Sequence, residues 1–111
     1  MTDALARLRN PSKGPYAVMA ATGTTQADAA EMPADVVMVT SGAEDAGVIL
    51  PLMNVNEECI VCNGTSANIK VYPRSGGTLN NAAANEALLM PENSAARFRA
   101  IDGGGNVMAF F

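Results

Sequence analysis

This chain of 111 residues predicts an all-β fold, a small antiparallel β-sandwich or barrel of about eight short strands with an extended N-terminal arm. Three observations carry that prediction. β-branched or alternating runs recur at short intervals, each closed by Gly, Pro or Asn. Asn63-Gly64 stands between two such runs, a strong short-range signal for a tight hairpin. Strand and helix patterns do not alternate, so a parallel α/β sheet is not expected.

The elements follow in chain order. Residues 1–14 read as an arm. Asp3 to Arg9 has the composition of two helical turns, capped by Thr2 and stopped by Asn10-Pro11. Leu5 and Leu8 share one face of that helix, with Arg7 and Arg9 away from it, and a helix so short needs a surface to dock on. Arg7, Arg9 and Lys13 against Asp3 give the arm a net charge of +2, which leaves −6 on the rest of a −4 chain. Residues 15–111 read as a single β domain. Residues 16–22 form a short apolar strand. Residues 24–32 are Ala-rich without a helical stripe and end at Pro33. A β-branched run over 35–40 turns at Ser41-Gly42, passes an acidic loop at 43–46, and leads to a strand over 47–50 closed by Pro51.

The hairpin comes next. Glu58, Ile60 and Cys62 fall on one face of its first strand, Cys59 and Val61 on the other. In its second strand Ile69 and Val71 alternate with Lys70 and Tyr72. Residues 78–84 make a short strand or loop turning at Asn80-Asn81, and the apolar run over 86–90 is closed by Pro91. Residues 94–101 alternate well, placing Ala96, Phe98 and Ala100 inward and Arg97 and Arg99 outward. Gly103-Gly104-Gly105 is the last turn and 106–111 the last strand.

Composition removes whole classes of function. An acidic pI near 4.5 argues against nucleic acid as a partner, since a phosphate binder needs a basic face. No apolar run approaches the roughly 18 residues of a membrane span, so no membrane is expected. The first residues lack the basic-then-apolar order of a signal peptide, which points to synthesis in a cytoplasm. The chain has no His, which removes the commonest general base and the Ser-His and Cys-His nucleophile pairs. Glu44-Asp45 and Glu57-Glu58 are neighbours, and neighbours in a strand face opposite ways, so neither pair brackets a substrate. Cys59 and Cys62 form a C-x-x-C with no second pair to complete a zinc site, and their odd spacing points the thiols to opposite faces. Both Gly runs read as turns, because neither opens a helix with the Lys of a phosphate loop. The expectation is a non-enzymatic chain with no catalytic, cofactor-binding or metal-binding residue, and hence no cofactor.

What remains is surface. Arg97 and Arg99 project together from one strand face, and guanidinium groups pair well with carboxylates across interfaces. Phe110-Phe111 places two rings on opposite faces of the final strand, one able to enter the core and one needing a neighbour. The interface candidates are therefore Leu5, Arg7, Leu8, Arg9 and Lys13 on the arm, and Arg97, Arg99, Phe110 and Phe111 on the domain. Seven Met are many for this length, and Met1, Met53 and Met108 are the ones best placed for adaptable contacts.

The order Gly47-Val48-Ile49-Leu50-Pro51, Val61-Cys62-Asn63, Val71-Tyr72-Pro73, Gly76-Gly77-Thr78-Leu79-Asn80 and Ser94-Ala95-Ala96-Arg97-Phe98 resembles that of small structural proteins of tailed bacteriophage virions. The resemblance covers residues 35–111 and omits the arm. It rests on turn and core signatures, not catalytic ones. Proteins of this kind include capsid decoration or cement proteins. The resemblance implies a location on the outer capsid surface of the virion, the major capsid protein as partner, self-association as a trimer, and stabilisation of the capsid lattice. The rival implied by the same resemblance is a tail or head-fibre β-module that binds a receptor or glycan. With no Trp and only Tyr16 and Tyr72, the aromatic platform such a site uses is thin. A metal-binding accessory module built on Cys59 and Cys62 is the remaining alternative.

Overall fold

The strands of this protein wind alternately between two sheets. The computed structural model describes residues 17–111, so the arm over residues 1–14, its helix and Tyr16 lie outside the described residues. Among the described residues there are ten strands: β1 (Ala17–Ala20), β2 (Ala30–Glu31), β3 (Val36–Ser41), β4 (Ala46–Ile49), β5 (Glu58–Asn63), β6 (Ile69–Tyr72), β7 (Thr78–Leu79), β8 (Leu88–Met90), β9 (Ser94–Ala100) and β10 (Asn106–Phe110). One 3-10 turn, Gln26–Asp28, stands where the Ala-rich stretch gave no clear signal. Asp28 closes it by accepting hydrogen bonds from the Thr24 and Thr25 backbone N–H groups and the Thr25 hydroxyl.

The six-stranded sheet runs β1-β3-β5-β9-β10-β7 and the four-stranded sheet β2-β4-β6-β8. From β1 to β6 each odd strand joins the first sheet and each even strand the second, so neighbours within a sheet run parallel. Parallel neighbours need a crossover, and here the crossover is a strand of the other sheet instead of a helix. The later strands close one side of this coil: β8 lies antiparallel on β6, β9 antiparallel on β5, and β10 antiparallel on β9. β7 then adds parallel to β10. The all-β prediction stands, but the sheets are mixed, not antiparallel, and hold ten strands where about eight were expected.

The hairpin expected at Asn63-Gly64 does not form. β5 and β6 lie in different sheets. A two-residue hairpin of the Asn-Gly kind needs φ > 0 at both positions, and neither residue is among those with positive φ. Asn63 instead ends β5 with its side chain buried and turns the chain toward the other sheet. Its Oδ1 accepts from the Thr65 N–H at 3.0 Å and from the Thr65 hydroxyl at 2.7 Å. Its Nδ2 donates to the carbonyls of Ala67, Met90 and Pro91 at 2.9, 3.2 and 3.0 Å. One amide thus ties the β5–β6 connection to the β8–β9 turn.

The inward faces of both sheets build one core. Val37, Val39, Cys59, Val61, Ala96, Phe98 and Val107 come from the larger sheet and Val48, Ile69, Val71 and Met90 from the smaller, with Leu50 and Leu79 at the ends. Each fully buried Val or Ile contributes about 1.5–3 kcal/mol relative to exposure. Among the described residues Phe98 and Tyr72 are the buried rings, and Val and Ala make up much of the remaining core. Gly47 is buried beneath Tyr72, where an added Cβ would meet the ring at 2.7 Å.

Candidate functional site

The outward positions of the larger sheet are not the polar set that solvent usually selects. Strand alternation sends Val37, Val39, Cys59, Val61, Ala96 and Phe98 inward, so the residues between them must face out. Cross-strand register arranges those residues in rows. Val18, Met38, Cys62 and Ala95 form one row across β1, β3, β5 and β9. Val36, Ile60, Arg97 and Phe110 form the next across β3, β5, β9 and β10. Glu58, Arg99 and Met108 begin a third. Val18 is 59% exposed and Phe110 45%, while Val36, Met38, Ile60, Cys62 and Met108 are half-buried by their neighbours alone. An apolar field spanning five strands, with three charges toward one side, is more than scattered surface hydrophobes.

The three charges form one cluster. Glu58 receives the Arg99 guanidinium, Nη1 to Oε2 at 3.0 Å, while Arg97 Nε lies 3.7 Å from its Oε1. Two cations share one carboxylate, which leaves the cluster with a net positive charge. The pairs are solvent-exposed, so each contributes only about 0.2–1 kcal/mol to folding. Arg97 Cζ also stands 5.3 Å from the centroid of the Phe110 ring, a cation–π contact between the two outward side chains.

The predicted positions therefore divide. Arg97 and Arg99 point outward from β9, and Phe110 joins the same face. Phe111 lies beyond the last strand residue and is 69% exposed, so neither terminal ring enters the core. The expectation that one would enter fails because Val107 and Ala109 already fill the inward positions of β10. Leu5, Arg7, Leu8, Arg9 and Lys13 lie outside the described residues, as does Met1. Val18, Val36, Met38, Ile60 and Cys62 were missed. Their signal was present: Val36-Val37-Met38-Val39 is apolar at every position, a strand covered or meant to be covered on both faces.

Cys59 and Cys62 diverge as their spacing requires, Cys59 buried inside and Cys62 half-buried outside, both as free thiols. Burial pushes the Cys59 thiol up to about 12, and the carboxylates of Asp35 and Glu58 push the same way. No cluster of three or more His, Cys, Asp or Glu suited to a metal ion occurs among the described residues. No helix among them is long and apolar enough to cross a membrane.

A second feature lies at one end of the sheets. A cavity of about 210 Å³ opens between the segment after β4, the segment after β6 and the β9–β10 turn. Leu50, Ala100 and Val107 form its apolar floor; Met53 and Arg74 flank it, and Asp102 and Gly103 to Gly105 form its rim. Leu52, beside it, is 82% exposed. The Asp102 carboxylate accepts hydrogen bonds from the Asn106 side chain and from the backbone of Gly104 and Asn106. Those bonds, the Asn106 amide foremost, hold its pKa below the usual value.

Comparison with protein-family models, with curated proteins and with solved structures finds no match to this chain.

Proposed function

We propose that this protein is a non-enzymatic structural component of a tailed-phage virion, a decoration or cement protein. In this reading it docks on the outer surface of the head and stabilises the capsid lattice. The observation that carries the reading is the apolar outer face of the six-stranded sheet, with Val18, Val36, Met38, Ile60 and Phe110 beside the Arg97–Glu58–Arg99 cluster. The resemblance of residues 35–111 to small virion proteins supplies the partner, the major capsid protein. The face has the form of a docking surface: a flat apolar centre, Arg at one side, and a net positive cluster on an otherwise acidic chain. The partner surface that fits it is apolar with a carboxylate opposite Arg97. Two sheets packed as a small sandwich would give a rigid plate.

The receptor- or glycan-binding alternative has less support. Tyr72 is buried, and its hydroxyl donates to the Thr24 carbonyl at 3.2 Å, so its ring offers no platform for a sugar.

The test uses purified phage heads stripped of their accessory proteins. Wild-type protein and the outward-face variant Ile60→Lys are added, and bound copies and the temperature of head disruption are measured. Wild type should bind and raise that temperature, while Ile60→Lys stays folded and binds at least about tenfold more weakly. Equal binding of both proteins, or none by wild type, would remove the docking role.

A further inference from the structure

The cavity between the two sheets is of a size for one aromatic side chain. An apolar cavity of about 150 Å³ already accepts a benzene ring, and this one measures about 210 Å³ over a floor of Leu50, Ala100 and Val107. The chain also carries an unburied ring of that size. Phe111 follows β10 and is 69% exposed, the most exposed aromatic among the described residues. Ring and cavity lie at opposite ends of the same strand, since Gly105 and Val107 line the cavity and Phe111 follows Phe110 at the far end. Val107, the lining residue nearest to it in the strand, precedes Phe111 by four positions, roughly 13 Å, so Phe111 does not reach the cavity of its own chain.

Charge matches as well as shape. Beside the ring end stands Arg97, whose guanidinium lies over Phe110. At the cavity rim stands Asp102, exposed and held in its ionised form by its hydrogen bonds. We propose that a second copy of this chain inserts its Phe111 ring into the cavity between Leu50, Met53, Ala100 and Val107, with its Arg97 facing Asp102. Ring and socket are different patches, so the contact is heterologous: copies join head to tail and either close into a ring or continue as a fibre. This contact borrows Arg97 from the edge of the docking face, but its ring and socket lie outside that face and it does not depend on the capsid reading.

Two surface substitutions separate the halves of the contact. Phe111→Ser removes the ring and keeps the socket; Ser75→Trp, at an exposed lining position, covers the socket and keeps the ring. Self-association is followed by sedimentation velocity over a concentration series, with far-UV circular dichroism confirming that each variant is folded. Wild type should assemble with rising concentration, and each variant alone should associate at least about tenfold more weakly. An equimolar mixture of the two variants should regain one junction and give a species of two copies. A wild type that stays monomeric throughout, a variant that assembles like wild type, or a folded mixture that stays monomeric would overturn the proposal. Loss of head binding with self-association intact would count against the docking face alone.

Discussion

Asn63 is the residue on which two loops depend. Its amide satisfies the buried carbonyl of Met90 and the part-buried carbonyls of Ala67 and Pro91, 27, 4 and 28 positions away in sequence. An unsatisfied buried partner costs about 1–3 kcal/mol, so Asn63→Ala should lower stability by about 3 kcal/mol in a urea titration. Asn63→Asp is the sharper test, because it keeps the shape and replaces the donor with a carboxylate facing three carbonyl oxygens. It should be at least as destabilising as Asn63→Ala at neutral pH and recover in part at acid pH, where a protonated carboxyl can donate once. Equal stability of Asn63→Asp and wild type at neutral pH would contradict the orientation of the amide. The two thiols give a second residue-scale prediction. Cys62 faces outward and should react with iodoacetamide in the folded protein, while Cys59 reacts only on unfolding. The Cys59 pKa is raised from 9.0 to about 12. The unfolded thiol therefore loses its proton above pH 9.0 while the folded one keeps it, and stability present below that pH is lost between 9.0 and about 12. Cys59→Ala should remove that part of the alkaline decline in the urea midpoint.

Among the elements, those defined by local alternation were legible and those defined by long-range partners were not. β9 could be read position by position, because Ala96, Phe98 and Ala100 against Arg97 and Arg99 leave one choice of face. The turn at Asn80-Asn81 was legible for the same reason: both residues adopt positive φ, 53° and 64°, which Asn tolerates. The Asn63-Gly64 signal misled because it is local, whereas the Asn63 side chain found partners in the β8–β9 turn. A strand–turn–strand pattern also reads alike whether the second strand folds back as a hairpin or crosses to a facing sheet. The short β7 owes its place to backbone contact. Gly77 precedes it, and a Cβ there would meet the Gly105 carbonyl oxygen at 2.3 Å. Gly105 itself has φ +92°, a conformation L side chains rarely adopt. Since backbone, not a flexible side chain, blocks the space, Gly77→Ala should cost about 2–3 kcal/mol and loosen the β7–β10 pairing. Faster hydrogen exchange at Thr78 and Asn80, which donate to the Gly105 and Val107 carbonyls, is the readout. Unchanged exchange there would mean that the Gly77–Gly105 approach is not what seats the strand.

For the whole molecule, the order of strands decides both what was hidden and how the chain must fold. The outward direction of Arg97 and Arg99 was plain from one strand. The apolar face was not, because Val18, Met38, Cys62 and Ala95 become neighbours only once β1-β3-β5-β9 is known. The cavity was hidden likewise, since residues near 50, 75 and 104 meet only through that order. The same winding has a thermodynamic consequence. Each sheet takes alternate strands from β1 to β6, so neither can complete its parallel ladder before the intervening strand of the other is placed. The core is shared too, with Val61 of one sheet and Val71 of the other both fully buried in a single cluster. The two sheets should therefore unfold as one cooperative unit. Val61→Ala and Val71→Ala each delete two buried methyls and should each cost about 2 kcal/mol. The decisive measurement is denaturation of both variants by urea, with hydrogen exchange read at amides of each sheet. Each substitution should lower protection in both sheets by the same free energy, because global opening is the route by which either core exchanges. Lower protection in the substituted sheet alone would show that the sheets are separate folding units, and the interleaved coil would then not be what unites them.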